Sequence, residues 1–201
     1  MAGLLANFRN TLILSVILAL LIVGAYATGP QGAGPIFVQA VFRWLHVFFG
    51  ILWIGLLYYF NFVQIRKMPE IPAELKPAVS KYIAPEALFW FRWAALATVL
   101  MGLAIAGGRG YLVQTLSLGF VGGGSSKQFM LLGLGMWLGI IMMLNVWGII
   151  WPNQKRALGI VEADADTKAK SARMAMLGSR TNLLLSIPML ATMTMSQTIF
   201  G

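Results

Sequence analysis

Few side chains of this sequence could support chemistry, and many of these lie in a single segment. Between residues 39 and 64, polar, small or large side chains recur at steps of three or four positions: Gln39, Arg43, His46, Gly50, Trp53, Leu57, Asn61 and Gln64. Such steps place side chains on one face of an α-helix. The pattern therefore predicts a helix whose polar stripe faces protein, because each polar group turned toward lipid would cost on the order of one to several kcal/mol.

His46 is the only histidine of the chain. An imidazole can ligate haem or a metal ion, and it can also carry protons. A lone histidine one helical turn from Arg43 more often makes a structural hydrogen bond between helices. Two histidines cannot hold a haem within this chain, whereas a histidine with one of the 12 methionines could. Non-covalent haem therefore stays open, and no metal site is predicted.

Two arginines, Arg43 and Arg92, lie inside apolar segments, roughly 10 Å from the predicted helix ends at 1.5 Å per residue. No Asp or Glu lies within these segments, Glu86 being at the edge of one. We therefore expect a counter-group from outside each arginine's own helix: a cofactor or substrate anion, a lipid phosphate, or a carboxylate of a partner. Snorkelling of both side chains to the interface is the alternative.

The absence of cysteine excludes several site types. Without thiolates the chain holds no Cys-ligated iron–sulfur cluster, no Cys-ligated zinc, no disulfide and no covalently attached c-type haem. The lack of acids within the apolar segments also argues against a proton pump or a cation-coupled transporter, which need titratable acids at mid-membrane.

These side chains must be positioned by membrane-spanning helices. Hydrophobic residues make up 59% of the chain and charged residues 10%, against roughly 25% charged in soluble domains. The sequence predicts an all-α integral membrane protein, a bundle of about five transmembrane helices forming one domain over residues 1–201. The predicted spans are about 11–27, 36–65, 86–107, 128–151 and 182–200. A cleavable signal peptide is the alternative for the first span. Residues 67–85, 108–126 and 153–180 are predicted to connect the spans, and a short surface helix within 67–85 is left open.

The basic residues outside these spans predict the orientation. Eleven lie on one side: Arg9, Arg66, Lys67, Lys76, Lys81, Lys155, Arg156, Lys168, Lys170, Arg173 and Arg180. Only Arg109 and Lys127 lie on the other side. Because Lys and Arg favour the cytoplasmic side, the N-terminus is predicted in the cytoplasm and the C-terminus on the opposite face. On this topology the net charge of +9 reflects membrane insertion and does not indicate a nucleic-acid partner.

Several short segments together resemble the membrane domain of the bacterial cytochrome c-linked urate oxidases, the urate oxidase N-terminal domain family. They are RWLH at 43–46, GILWIG at 50–55, FWFRW at 89–93, NVW at 145–147, WPNQK at 151–155, SRTN at 179–182 and LSIP at 185–188. Their order covers the second to fifth spans. In that family a cytochrome c domain follows the membrane module outside the cytoplasm, and the enzyme is taken to hydroxylate urate and to pass electrons to that haem.

The resemblance implies a multi-pass protein of the bacterial inner membrane and a set of candidate site residues. His46 and Arg43 are candidates for a haem or anion contact. Arg92, Asn145, Arg180 and Asn182 are candidates for contacts with a partner or substrate. Thr181 stands where the family segment has a histidine, and the sequence has no CxxCH motif.

The favoured hypothesis is therefore a membrane subunit or accessory protein of a larger respiratory or oxidoreductase complex. Its expected partners are other membrane subunits and lipids, with a separate cytochrome c as a further candidate. A urate-oxidising membrane enzyme that works with a separate cytochrome c is the alternative. A small transporter or channel is the third and weakest hypothesis.

Overall fold

A computed structural model describes residues 2–28, 32, 34–121 and 126–200. These residues form helices and connecting turns, without a β-strand among them. The helices are α1 (Ala2–Leu5), α2 (Phe8–Ala27), α3 (Pro35–Glu70), α4 (Lys76–Gly108), α5 (Leu112–Leu116), α6 (Lys127–Ala157) and α7 (Ala165–Phe200). Among them α2, α3, α4, α6 and α7 are long and apolar enough to cross a membrane. The prediction of an all-helical chain with five such helices is confirmed.

The chain divides into two compact units, residues 1–41 and 42–201. The first unit contains α1, α2 and the first turns of α3. Asn7 caps α2, its side chain accepting a hydrogen bond from the backbone N–H of Asn10 at 3.2 Å. None of the 20 residues of α2 is buried, so this helix presents its apolar side chains on every face. An all-round apolar surface is typical of helices that lie in lipid.

The second unit is a bundle of the rest of α3 with α4, α6 and α7. Its core consists of buried side chains from all four helices: Trp53, Ile54, Leu57, Phe60, Leu88, Phe91, Ala94, Ala95, Met142, Val146, Ile150 and Met189. Phe60 and Phe91 meet edge to face, with ring centroids 5.5 Å apart. Every residue of the predicted stripe from Arg43 to Gln64 is buried or half-buried, so that part of the stripe is confirmed to face protein.

All three predicted connectors are partly helical. The connector over 108–126 contains α5. Residues 165–180 belong to α7, and α4 begins at Lys76, so that 71–75 and 158–164 remain as the links between the helices on that side. Asp164 caps α7, because its carboxylate accepts from the backbone N–H of Thr167 at 2.8 Å and from its hydroxyl at 2.7 Å. Gly159, at φ +75°, allows the chain to turn after α6. Hydropathy identified the apolar part of each helix and missed its polar continuation.

Three of the long helices contain a wider π-helical turn. These turns cover Tyr59–Gln64 in α3, Val79–Ile83 in α4 and Val146–Ile150 in α6. A π turn accommodates one extra residue within an α-helix and is often found at functional sites. The turns of α3 and α6 contribute Phe60, Val146 and Ile150 to the core.

Candidate functional site

His46, a candidate for a haem or anion contact, lies on α3 and faces α4. His46 is half-buried, and its Nδ1 lies 2.8 Å from the backbone carbonyl oxygen of Thr98. Because a carbonyl oxygen only accepts, Nδ1 carries a hydrogen, and in a neutral imidazole the lone pair is then on Nε2. The ring packs against Gly102, where a Cβ would lie 3.0 Å from the imidazole Cε1. The absence of a side chain at Gly102 thus makes room for the imidazole.

Arg43 lines a cavity of about 650 Å³ at one end of the second unit. Its Nη1 donates to Oε1 of Gln197 in α7 at 3.5 Å, a long hydrogen bond. The other described lining residues are Arg109, Tyr111, Gln128, Phe129, Leu132 and Ser196. Two arginines therefore line one cavity, and only Arg43 was a candidate from the sequence.

The connector between α4 and α6 is held to α6 by close backbone packing. Thr115 in α5 is fully buried, and a Cβ on Gly133 of α6 would overlap its carbonyl oxygen. Trp137 of α6 donates from Nε1 to the carbonyl oxygen of Leu116 at 2.9 Å. Small residues allow such close approach between membrane helices. This packing fixes the segment that begins with Arg109 and so positions one wall of the cavity.

Arg92 lies on an aromatic surface of its own chain. The guanidinium carbon is 3.9 Å from the ring centroid of Trp151 and 5.2 Å from that of Phe89. A guanidinium over an aromatic face gains about 0.5–2 kcal/mol, more where water is excluded. Trp147 donates from Nε1 to the Arg92 carbonyl at 3.2 Å. The ring of Trp151 in α6 thus supplies a contact from outside Arg92's own helix, and the anionic counter-group expected for Arg92 stays a prediction.

Asn145 and Asn182 form a clamp between α6 and α7. Asn145 donates from Nδ2 to Oδ1 of Asn182 at 2.7 Å and to the carbonyl of Gly178 at 2.8 Å. Asn182, which is fully buried, donates in turn to the carbonyl of Met142 at 3.0 Å. These two candidates for partner or substrate contacts make helix–helix contacts within the chain.

A second cavity, of about 400 Å³, lies between α6 and α7 beside this clamp. Thr181 lines it together with Asn145, Gly178 and several apolar side chains. The Thr181 hydroxyl donates to the Leu177 carbonyl at 3.0 Å, a bond within its own helix. Arg180, the next candidate, is exposed and is absent from the described lining of this cavity. The cavity thus offers an apolar wall without a charged group.

Further polar contacts connect α3 to α7. Asn61, 2% exposed, donates from Nδ2 to the Ser179 hydroxyl at 2.9 Å, and the hydroxyls of Ser186 and Tyr58 lie 3.3 Å apart. Buried Oδ1 of Asn61 and buried Nε1 of Trp53 have no hydrogen-bond partner among the described residues. Buried polar atoms of this kind are normally satisfied by an internal water molecule.

The candidate residues do not meet at one place. His46 contacts α4, and Arg43 lines the larger cavity. Arg92 lies on the ring of Trp151, and Asn145 and Asn182 join α6 to α7. Arg180 is exposed on the surface. Within the described ranges no group of three or more His, Cys, Asp or Glu side chains comes together. The contacts that Arg92, Asn145 and Asn182 make are contacts between helices of this chain.

The surroundings of His46 do not fit a haem. An axial ligand would use Nε2, but the imidazole packs against α4 at Gly102, where a Cβ would lie 4.0 Å from Nε2 itself. A haem needs a broad slot beside its axial histidine, in addition to the ligand atom. The geometry therefore assigns His46 to the contact between α3 and α4.

Comparison with protein-family models, with curated proteins and with solved structures gives no match to the chain.

Sequence reasoning missed four residues that complete these contacts. Arg109 and Gln197 join Arg43 at the cavity, Trp151 lies under Arg92, and Gly133 admits the α5 backbone. Arg109 was considered only for its charge in the topology count. Arg109 directly follows a predicted span, and it lies on the side of the membrane where the span that contains Arg43 begins. That position was the signal in the sequence.

Proposed function

We propose that this chain is a multi-pass protein of the bacterial inner membrane, with the N-terminus in the cytoplasm and the C-terminus outside. Five helices of sufficient length and apolarity support the insertion. The excess of basic residues on one side supports the orientation. With this topology the larger cavity lies at the outer end of the bundle.

Within that membrane we propose that the chain is an accessory subunit of a larger oxidoreductase complex, related to the membrane domain of the urate oxidases. The observation that carries this proposal is the dispersal of the candidate residues over separate contacts. Asn182, Asn145 and Arg92 hold helices together. Such a chain supplies a scaffold and an interface, while partner subunits supply the reaction.

Arg180 is the candidate contact that remains available to a partner. It is exposed on α7, roughly 22 Å along the helix from its start at Ala165. Lys168 is also exposed on α7 but points about 120° away around the helix axis, at 100° per residue. A partner that binds the face of α7 with Arg180 is therefore expected to contact Arg180 and not Lys168.

Native purification in a mild detergent tests the proposal. We expect a stoichiometric set of other chains to co-purify with the protein, and an optical spectrum of the complex identifies any redox centre those chains bring. Arg180→Ala should reduce their yield several-fold, whereas the matched Lys168→Ala should not. A chain that purifies alone would refute the accessory role. Consumption of urate by the isolated chain with an added cytochrome c would replace it with the enzyme alternative.

A further inference from the structure

The larger cavity of the second unit has the dimensions of a small-molecule site. Its volume of about 650 Å³ lies within the roughly 300–1,000 Å³ range of ligand pockets. Four parts of the chain form its walls: α3 with Arg43, the segment after α4 with Arg109, the start of α6 with Gln128 and the end of α7 with Gln197. Four parts of the chain thus supply one polar surface each.

Among its described lining residues the cavity carries two arginines and no acidic side chain. The six acidic residues of the sequence are Glu70, Glu74, Glu86, Glu162, Asp164 and Asp166. Glu86 lies within α4, and the other five lie in or beside the links at the opposite ends of the helices. Glu70 is separated from Arg43 by roughly 40 Å of helix, and Glu86 from Arg109 by roughly 35 Å. At these distances Glu70 cannot contact Arg43 and Glu86 cannot contact Arg109.

The donors around the cavity suit an oxyanion. A guanidinium presents a planar fork of N–H groups that matches phosphate oxygens in pairs. Gln197 accepts from Arg43 through Oε1, which leaves its amide NH₂ group to donate. Gln128 adds a second amide, while Phe129 and Leu132 provide an apolar wall.

The depth of Arg43 favours a phosphate over other anions. The 36 residues of α3 span roughly 54 Å, about 24 Å more than a hydrocarbon core of about 30 Å. Arg43 lies roughly 12 Å from the start of this helix at Pro35. A helix centred in the bilayer thus places Arg43 at the boundary between hydrocarbon and headgroups, where the phosphates of lipids lie.

We propose that Arg43 and Arg109 bind a phosphate group in this cavity. The group comes either from a phospholipid headgroup, whose chains would lie along the apolar wall, or from a soluble phosphate compound. This site is independent of the accessory role proposed above, because it needs only the residues of the second unit.

Ligand-dependent unfolding of the purified protein in an uncharged detergent tests the site. One arm adds inorganic phosphate, with chloride at equal ionic strength as the control. The other adds dioleoylphosphatidylglycerol, with dioleoylglycerol, which lacks the phosphate, as the control. We expect a higher Tm with phosphatidylglycerol and a bound lipid in native mass spectra. A rise with inorganic phosphate as well identifies a site open to soluble phosphates, whereas a rise with the lipid alone identifies the headgroup as the source.

Three variants test whether the ligand binds at a defined site or is attracted only by the general positive charge at this end of the bundle. Arg43→Gln and Arg109→Gln should each raise the half-saturating ligand concentration at least about tenfold, the loss expected for a charged hydrogen bond. Lys127→Gln, an exposed cation at the same end and outside the described lining, should change it by less than about twofold. If a glutamine variant fails to fold, Arg43→Lys and Arg109→Lys keep the charge and should still weaken binding. The proposal is overturned if neither probe raises Tm, or if all three variants weaken binding equally.

Discussion

Replacing Gly133 by alanine tests the packing that holds the α4–α6 connector. A Cβ at this position would overlap the backbone carbonyl oxygen of Thr115 and lie 3.2 Å from Cδ2 of Leu118. A backbone carbonyl cannot rotate away as a flexible side chain can, so α5 has to move off α6. Gly139, six residues further along the same helix, is also buried, but a Cβ there meets nothing within 4 Å. The same substitution on one helix therefore has two different environments.

The two variants should differ by about 3 kcal/mol. Alanine is about 1 kcal/mol more favourable than glycine inside a helix, and Gly139→Ala should gain most of this. At Gly133 an overpacking cost of about 3 kcal/mol, at the upper end of the usual range, outweighs that gain and leaves a loss of about 2 kcal/mol. At roughly 2–4 °C per kcal/mol for a chain of this size, the two Tm values should differ by about 6–12 °C.

Thermal unfolding in detergent, followed by tryptophan fluorescence, measures this difference. Gly135→Ala provides an intermediate case, because a Cβ there meets the side chains of Thr192 at 2.6 Å and Met193 at 3.1 Å, and side chains can rotate. The reasoning is refuted if Gly133→Ala unfolds at or above the Tm of Gly139→Ala.

The remaining predictions concern topology, an aromatic contact and a helix cap. A reporter fused to the C-terminus should be periplasmic and one inserted at Ala163 cytoplasmic, and the opposite labelling would overturn the orientation. Arg92→Met and Trp151→Leu should each lower stability by about 0.5–2 kcal/mol, while the double variant loses little more than either one; additive losses would exclude the contact. Hydrogen bonds from the Thr167 backbone and hydroxyl lower the pKa of Asp164 below the ordinary Asp value of about 3.9. The cap at the start of α7 should therefore be intact above that ordinary value and should be lost as the pH falls through the lowered pKa. The NMR shift of the Thr167 amide measures this, and a midpoint at or above the ordinary value would contradict the cap.

The sequence predicted those features that depend on the residues of one helix alone. The stripe from Arg43 to Gln64 follows from helical periodicity alone, and its burial agrees with that prediction. The number of long apolar helices follows from composition and length, because crossing a hydrocarbon layer needs about 20 apolar residues. Both properties are local and need no knowledge of how helices pack.

Contacts between distant segments could not be read from periodicity. Trp151 lies under Arg92 because α4 and α6 are neighbours, and neither residue's own helix indicates the other. Arg43 and Gln197 meet only because the first part of α3 and the end of α7 come together. The family resemblance suggested which residues matter, and it could not distinguish a helix clamp such as Asn145 with Asn182 from a binding site.

The π turns have a consequence for how this chain tolerates changes in length. A π turn holds one residue more than the α-helical turn it replaces. Deleting one residue within Val146–Ile150 can therefore convert it to an α turn, leaving α6 on both sides facing its original neighbours. The same deletion between Gly135 and Gly139 would rotate one half of α6 by about 100° against the other. Related chains that differ by one residue here would then share the same bundle, and aligning them requires the gap to be placed in the π turn.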